Sequence, residues 1–277
     1  MSDLGRLESV LRQIGAAAVA VSGGIDSLTL ATAAHRVLGG AVAMHHATSP
    51  AVPAEATGRT RALAAAEGWA LDVFDAGEFD DPRYRANPHD RCFFCKTSLY
   101  GAVSRRTTRT VLSGTNLDDL GAYRPGLAAA RDHAVRHPFV EAAIDKAAVR
   151  ALAAALGLGA LAELPSAPCL SSRIETGLRI EPMELAMVHA AETLVAAALR
   201  PATVRCRVRA AGVVVELDEA TLARLDPEAA EALRVRIAGL AREAGLARLV
   251  SFAPYRTGSA FLRPRTAGAG ISATAAP

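Results

Sequence analysis

A glycine-containing loop near the start of the chain has the composition of a phosphate-binding turn. It runs from Ser22 through Gly23 and Gly24 to Asp26 and Ser27, directly after a short apolar run. Glycines let backbone N–H groups approach an anion closely, and the dipole of a following helix adds a favourable potential. The spacing matches neither the Walker loop nor the GxGxxG of dinucleotide binders. The loop predicts a phosphate site, with an ordinary strand-to-helix turn capped by Ser22 as the alternative.

Two further segments carry cysteines whose surroundings could support chemistry. Cys92 and Cys95 form a C-x-x-C pair beside Arg91 and Lys96, and Cys169 lies in the segment PSAPCLSSR. A C-x-x-C pair alone is consistent with a redox pair, a metal site or coincidence. Because thiolate is the form that binds metals and attacks carbon, we expect the two adjacent cations to favour it.

Short apolar runs alternate with helical patterns over the first part of the chain. Strand-like runs lie at 16–21, 41–44, 70–74 and 110–113, and helical spacing covers 27–38 and 53–67. Such alternation indicates βαβ units around a parallel sheet. We predict a doubly wound α/β domain over 1–180, with the glycine loop at the carboxyl end of its first strand, where such sheets bind ligands.

The pattern changes after Pro182. Helical spacing covers 184–199 and 227–244, and alternating or apolar runs lie at 203–209, 213–217 and 248–252. Two antiparallel strands with helices on one face predict a smaller α+β domain over 181–265. The small, polar residues of 266–277 predict a disordered tail.

Composition narrows the class of protein. The chain has 277 residues, of which 51% are hydrophobic and 21% charged, with a net charge of +3. This is a globular composition, and the charge balance does not favour nucleic acid or an anionic membrane as partner. No apolar run is expected to be long enough to cross a membrane, and the first residues lack the order of a signal peptide. We therefore expect a soluble, cytoplasmic protein.

The loop from Ser22 to Ser27 resembles that of the PP-loop ATP pyrophosphatases, which share the adenine nucleotide alpha hydrolase-like fold. Together with NPHDRCFFCK, GTNLDD, YRPG and CLSSR, it is similar to the LarE family of ATP-dependent sulfur transferases, which serve nickel-pincer nucleotide biosynthesis for lactate racemase. The likeness extends to YRTGS near residue 257 and so covers nearly the whole chain.

The resemblance implies an adenylating, pyrophosphate-releasing enzyme that uses ATP and Mg²⁺. A carboxylate of pyridinium-3,5-biscarboxylate mononucleotide would be adenylated and then converted to a thiocarboxylate. Ser22, Gly23, Gly24 and Ser27 would hold the pyrophosphate portion of ATP, and Asp26 would orient the loop or a Mg²⁺. Asp26 and Ser27 are therefore also expected to be catalytic.

The same resemblance leaves three roles open for the cysteines. In single-cysteine relatives the cysteine at the position of Cys169 gives up its own sulfur, which makes Cys169 a catalytic candidate. Relatives with three cysteines imply a [4Fe–4S] cluster on Cys92, Cys95 and Cys169, with one iron open for hydrosulfide. Zn²⁺ on the same thiols, with water or His89, is the less favoured metal.

Other residues of the matching motifs are expected around the nucleotides. Gly114, Thr115 and Asn116 would line the nucleotide site, because they follow a strand at the same sheet edge. The cationic side chains expected to contact phosphate or carboxylate are those of Lys96, Arg124, Arg173, Arg207 and Arg209. The roles of three residues stay open. Asp118 and Asp119 would bind Mg²⁺ or cap a helix. Cys206 is expected to be a small buried side chain.

Two other functions compete. A tRNA 2-thiolation enzyme of the same superfamily would need a basic surface, which a net charge of +3 does not favour. A non-catalytic nucleotide or zinc protein would bind ATP without releasing pyrophosphate. The expected partners are therefore a small nucleotide and a sulfide source, with neither nucleic acid nor membrane, and relatives suggest a homo-oligomer such as a hexamer.

Overall fold

The computed structural model describes residues 1–121, 123–165, 167–246 and 248–262, and the expected tail at 266–277 lies outside them. The strands are β1 (Ala17–Ala20), β2 (Val42–Thr48), β3 (Leu71–Asp75), β4 (Thr110–Leu112), β5 (Val204–Arg209), β6 (Gly212–Leu217) and β7 (Val250–Pro254). The helices are α1 (Asp3–Ile14), α2 (Ile25–Leu38), α3 (Ala54–Glu67), α4 (Pro82–Arg85), α5 (Arg91–Arg106), α6 (Leu117–Leu120), α7 (Gly126–Asp132), α8 (Pro138–Glu141), α9 (Lys146–Ala155), α10 (Pro182–Leu199), α11 (Glu219–Ala223) and α12 (Pro227–Glu243).

The first sheet is parallel and has the order β3-β2-β1-β4. Alternate residues of β1 enter two different hydrophobic cores. Val19 packs in a core built largely from α1, α2 and α9, whereas Ala18 and Ala20 pack with Tyr100 and Val103 of α5. Because helices cover both faces, all four residues of β1 are buried. The predicted doubly wound α/β sheet is confirmed.

Strand β2 is longer than its apolar run suggested. The strand extends to Thr48, so His45 and His46 lie inside it rather than after it. Both rings are buried, and His46 bonds the carbonyl of Val21 at 2.8 Å and the hydroxyl of Thr57 at 2.9 Å. The buried ring of His46 has a hydrogen-bond partner at each nitrogen, and these bonds connect the end of β1 to α3.

The second sheet has the order β5-β6-β7 and is mixed. Strands β5 and β6 are antiparallel, as predicted, and β7 joins β6 in parallel. Helices α10 and α12 pack over a core that includes Val188 and Val215. Tyr84 and Ile174 also belong to this core, and Ile174 forms an isolated bridge with Val208. The domain division at residue 180 stays a prediction.

Helix α10 alone, within the described part of the chain, is long and apolar enough to span a membrane by length and composition. Glu184, His189 and Glu192 interrupt its apolar residues, so it is not the continuous apolar run that the sequence-based expectation excluded. One face of the helix is buried against β5 and α12 through Leu185, Val188, Ala191 and Val195. Such packing is typical of a core helix in a soluble protein.

Truncating the buried face of α10 is expected to destabilise the protein. Leu185 is fully buried, so Leu185→Ala removes packed methyl groups and leaves a cavity, lowering the free energy of unfolding by about 2–5 kcal/mol. Met183 on the same helix is 61% exposed, and Met183→Ala is expected to change it by less than about 0.5 kcal/mol. Chemical denaturation measures both, and equal losses would contradict the assignment of the buried face.

Candidate functional site

Two serine hydroxyls close the glycine loop on itself. The hydroxyl of Ser27, in the first turn of α2, accepts from the backbone N–H of Ser22 at 3.0 Å and donates to the carbonyl of Gly24 at 3.0 Å. The hydroxyl of Ser22 lies 3.1 Å from that of Ser27. Gly24 itself is the N-cap of α2, without a side-chain cap. The loop is therefore fixed next to free N–H groups at a helix N-terminus, which favours anions.

Two glycines of the site have no room for a side chain. Gly23 has φ +79°, and a Cβ there would lie 2.5 Å from the carbonyl oxygen of Ala56. A Cβ on Gly114 would lie 2.9 Å from backbone atoms of both Asp26 and Ser27. The loop after β4 thus packs directly on the loop after β1, as expected for neighbouring parallel strands.

Asp26 has a polar partner on each carboxylate oxygen. Asn116 donates to Oδ1 at 3.0 Å, and the ammonium of Lys146 donates to Oδ2 at 2.5 Å. Asn116 also caps α6, because its side chain accepts from the N–H of Asp118 while the carboxylate of Asp119 accepts from the N–H of Asn116. The carboxylate of Asp119 therefore takes part in capping α6, whereas that of Asp118 accepts from the backbone N–H of Lys146 at the start of α9. A role of either aspartate in binding Mg²⁺ stays a prediction.

A small cavity of about 210 Å³ opens beside the glycine loop. Its walls come from the loop after β1, the loop after β4 and helix α5. Its wall includes Ser22, Asp26, Ser27, Gly114, Thr115 and Lys96. Arg124 also faces this cavity and forms a 2.5 Å ion pair with Asp119. The cavity joins hydrogen-bond donors, cations and a carboxylate, which is the donor set that a phosphate chain with a divalent cation requires.

A larger cavity of about 520 Å³ lies next to it and shares four wall residues, Lys96, Tyr100, Thr115 and Arg124. Cys92 lines this larger cavity, together with Pro168 and Ser172 on either side of the Cys169 segment. Aromatic and cationic side chains complete its wall, namely those of His89, Tyr123, Tyr255, Phe261, Arg91, Arg205 and Arg207. This combination suits a planar ring that carries an anionic group.

Helix α5 presents both cysteines of the C-x-x-C pair in its first two turns, and Cys169 precedes a short 3-10 turn at Leu170–Arg173. Cys92 and Cys169 are exposed. Burial among protein atoms raises the pKa of Cys92, and the charge of Cys169 adds to the rise. Burial also raises the pKa of Cys95 to about 12. The expectation that neighbouring cations favour thiolates is thus corrected. At Cys95 burial outweighs Lys96, and at Cys92, although the residue is exposed, the protein atoms packed around the thiol outweigh Arg91 and Lys96.

Lys96 is the cation common to the thiols and the small cavity. The hydroxyl of Tyr100 and the thiols of Cys95, Cys92 and Cys169 all raise the pKa of Lys96, against an opposing effect of burial. Gly126 of the YRPG segment makes room for its stem, since a Cβ there would lie 2.9 Å from Cγ of Lys96. Within the described residues, no three His, Cys, Asp or Glu side chains form a ready-made metal site.

Comparison with known proteins gives the chain its relatives, although no protein-family model matches it. It is 36% identical over 195 residues to an uncharacterised protein of Synechocystis, covering 69% of this chain and 72% of that protein. It is 30% identical over 221 residues to the pyridinium-3,5-bisthiocarboxylic acid mononucleotide synthase of Lactiplantibacillus plantarum, covering 78% of this chain and 79% of that enzyme. The chain belongs to this synthase family, which is the LarE-like family named from the motifs.

The fold brings together most residues that the family motifs marked. Ser22, Asp26, Ser27, Gly114, Thr115, Lys96 and Arg124 line the small cavity, while Arg207 and Cys92 line the large one. Gly23, Gly24 and Asn116 support these walls through the contacts described above. Cys95 and Cys169 interact electrostatically with Lys96 without lining either cavity.

Arg173 does not face a ligand cavity, which corrects its expected role in binding phosphate. The side chain is 4% exposed, and Glu192 accepts from its Nε and Nη2 at 2.9 and 3.1 Å. Its Nη1 donates to the carbonyls of Pro168 and Cys169 at 2.6 and 3.2 Å. Because a buried guanidinium needs all its donors satisfied, this arginine holds the Cys169 segment against α10 instead.

The arginines of β5 divide between structure and cavity. Glu216 on β6 is 2% exposed and accepts from Arg207 at 3.1 Å and from Arg209 at 2.7 Å. Arg207 also lines the large cavity, whereas Arg209 is absent from both cavity walls. Arg209 sits at the end of β5 and pairs with Glu216, and its expected role in binding ligand stays a prediction. Arg205, which alternation places on the same strand face, lines the cavity in its stead.

Sequence reasoning missed Lys146 and Arg205. Lys146 lies 120 residues from Asp26 in the chain, outside every motif used, yet it contacts that carboxylate. A signal was available in the composition: 29 of the 31 basic residues are arginine, and the two lysines both lie at the small cavity or on its aspartate. A lysine kept in an arginine-rich chain indicates a need for its particular chemistry.

The raised pKa of Cys92 predicts slow alkylation of the metal-free protein near neutral pH. Only the thiolate reacts with iodoacetamide, so Cys92 should react more slowly in the folded chain than in the denatured chain, and its rate should keep rising above about pH 8. Peptide mapping by mass spectrometry measures the rate at each pH. Buried Cys206 serves as an unreactive internal control. A rate for Cys92 that levels off below about pH 8 would contradict the assignment.

Proposed function

We propose that this chain is an ATP-dependent sulfur transferase that adenylates a carboxylate of pyridinium-3,5-biscarboxylate mononucleotide and converts it to a thiocarboxylate. The observation that carries the proposal is the shared wall of the two cavities, Lys96, Tyr100, Thr115 and Arg124, between the glycine loop and the thiol of Cys92. The name of the Lactiplantibacillus plantarum relative supports this substrate class. An activated carboxylate formed in one cavity would thereby meet sulfur in the other.

Adenylation would use the small cavity. A carboxylate oxygen of the mononucleotide forms a bond to the α-phosphorus of ATP, the bond between that phosphorus and the bridging oxygen breaks, and pyrophosphate leaves with the electron pair. Backbone N–H groups of Gly23 and Gly24 and the serine hydroxyls would stabilise the charge on pyrophosphate. Asp26, on the wall of this cavity, offers a carboxylate oxygen for Mg²⁺, which fits the hard-ligand preference of that ion.

The large cavity would hold the acceptor. Arg205 and Arg207 provide a guanidinium pair for its phosphate, and Tyr255 and Tyr123 provide aromatic surface for a pyridinium ring. The same cavity is lined by Cys92, so a bound acceptor would have a thiol within the cavity that holds it. Sulfur at the oxidation level of sulfide would form a bond to the acyl carbon, the bond between the carbon and the phosphate oxygen of AMP would break, and AMP would leave with the electron pair. The product is a thiocarboxylate.

The three cysteines are the proposed ligands of a sulfur-ligated metal group, although within the described residues their side chains do not form a ready-made metal site. Cys95, Cys92 and Cys169 each raise the pKa of Lys96, so the three thiols lie within electrostatic range of one ammonium group. The raised pKa values of Cys92 and Cys95 would fall when a metal takes the place of the protons. When bound, a [4Fe–4S] cluster on three cysteines has one iron free to carry hydrosulfide. Lys96 would offset the negative charge of the thiolates, and Arg173 would hold the carbonyl of Cys169 in place.

We also propose a cytoplasmic homo-oligomer, with a hexamer as one possible form, built from domains at 1–180 and 181–265. We propose neither nucleic acid nor a membrane as its partner. The separate clustering of buried residues around the two sheets supports the two domains, although Tyr84 and Ile174 of the first segment pack in the second core.

Replacing the loop carboxylate is expected to stop pyrophosphate release. Asp26→Asn keeps the shape of the side chain but removes the charge that would hold Mg²⁺, so we expect release from ATP in the presence of the pyridinium mononucleotide to fall by at least about 100-fold. A coupled pyrophosphate assay measures it. Asp132→Asn, at an exposed position at the end of α7, is the matched control. Unchanged release in Asp26→Asn would contradict the placement of the ATP site.

Iron and sulfide analysis distinguishes the three roles proposed for the cysteines, namely holding a cluster, holding zinc and giving up sulfur. After anaerobic purification we expect about four irons and four acid-labile sulfides per wild-type chain. Cys92→Ser, Cys95→Ser and Cys169→Ser should each lose the brown chromophore, whereas Cys206→Ala, altered in the second core, should keep it. A colourless wild type loaded with zinc would refute the cluster. Conversion of Cys169 to dehydroalanine after turnover would identify a sacrificial cysteine instead.

A further inference from the structure

Lys146 makes a contact that no motif of the chain accounts for. It is the first residue of α9, and its ammonium lies 2.5 Å from Oδ2 of Asp26. Its backbone N–H is held separately, since it donates to the carboxylate of Asp118 at 3.2 Å. The backbone is thus anchored on α6 while the side chain reaches the glycine loop. The two side chains of the ion pair are 30% and 29% exposed, so water and ions can reach them.

The ammonium of Lys146 donates to a carboxylate oxygen of Asp26 that a divalent cation would also bind. Both oxygens of Asp26 have a partner, the amide of Asn116 on Oδ1 and the ammonium of Lys146 on Oδ2. The flexible lysine is the partner that a new ligand in the small cavity can displace more readily. Asp119, the other carboxylate of this cavity, is engaged by Arg124 and by the N–H of Asn116. A divalent cation and an ammonium group repel each other, so each weakens the binding of the other to one carboxylate oxygen.

We propose that Lys146 is a positioning residue that holds Asp26 through Oδ2 until a divalent cation, brought by a nucleoside triphosphate, takes over that oxygen. The ammonium then turns towards the phosphate oxygens. This inference rests on the proposed use of ATP. It assigns Lys146 the task of keeping the carboxylate aligned and unavailable to free metal, so that cation and nucleotide bind together.

The choice of lysine supports an exchangeable contact. Arginine makes up 29 of the 31 basic residues, and its planar fork binds a carboxylate through two parallel bonds. Lysine carries a single ammonium on a flexible stem and can leave one anion for another with little rearrangement. At Arg173, by contrast, two nitrogens of the guanidinium contact Glu192, which gives a fixed ion pair. Asp26 receives the single-point contact.

Binding of Mn²⁺ to the full-length protein, measured by electron paramagnetic resonance without nucleotide, tests the proposal. Lys146→Met removes the competing charge at similar length, so Mn²⁺ should bind about tenfold more tightly than to the wild type. Lys146→Arg keeps the charge and should show no gain. Adding Asp26→Asn to Lys146→Met should abolish the gain, which identifies the carboxylate responsible.

The outcomes separate this proposal from the proposed function. Unchanged Mn²⁺ affinity in a folded Lys146→Met protein, or an equal gain in Lys146→Arg, would overturn the role of Lys146 even if pyrophosphate release stays intact. Tighter Mn²⁺ binding in Lys146→Met, together with a wild type that releases no pyrophosphate, would support the positioning role of Lys146 and refute the proposed ATP chemistry. If Lys146→Met does not fold by circular dichroism, Lys146→Gln replaces it in the same comparison, with the same expected gain.

Discussion

The contact between two backbone loops at the carboxyl edge of the parallel sheet underlies the site. Gly114 lies so close to Asp26 and Ser27 that a single Cβ would meet their backbone atoms at 2.9 Å. Because β1 and β4 are parallel neighbours, their following loops must meet at this edge. The close approach lets Asn116 reach Asp26, and the N–H groups at the start of α2 then face the small cavity. Every proposed step at phosphorus depends on this contact.

Buried ion pairs connect the second sheet to the cysteine segment. Arg173 joins Glu192 of α10 to the carbonyls of Pro168 and Cys169, and Arg207 joins Glu216 to the carbonyl of Ser172. Such pairs contribute little net stability because desolvation offsets their attraction, but they fix geometry closely. The second sheet thereby sets the position of the segment that carries Cys169, and through Arg205 and Arg207 it forms one wall of the large cavity.

The thiols are set in an environment that disfavours free thiolate. Burial raises the pKa of Cys92 and Cys95, and Lys96 offsets only part of that effect. Protonated thiols resist adventitious oxidation and alkylation, whereas a metal can replace their protons and recover the cost of burial. The same ammonium borders the small cavity, so charge at the thiols is linked through Lys96 to the charge of the phosphates proposed to bind there.

The amino-acid sequence alone determined the strand and helix pattern, the parallel α/β sheet and the segments that meet at its edge. Period and apolar runs are local properties, and the βαβ rule converts them into a topology. It could not determine which arginine faces a ligand, because Arg173, Arg205, Arg207 and Arg209 look alike until their partners Glu192 and Glu216 are placed. Nor could it place Lys146 on Asp26, or show that burial outweighs the cations beside Cys92. Those outcomes depend on contacts between residues far apart in the chain and on the water they exclude, which only the tertiary structure decides.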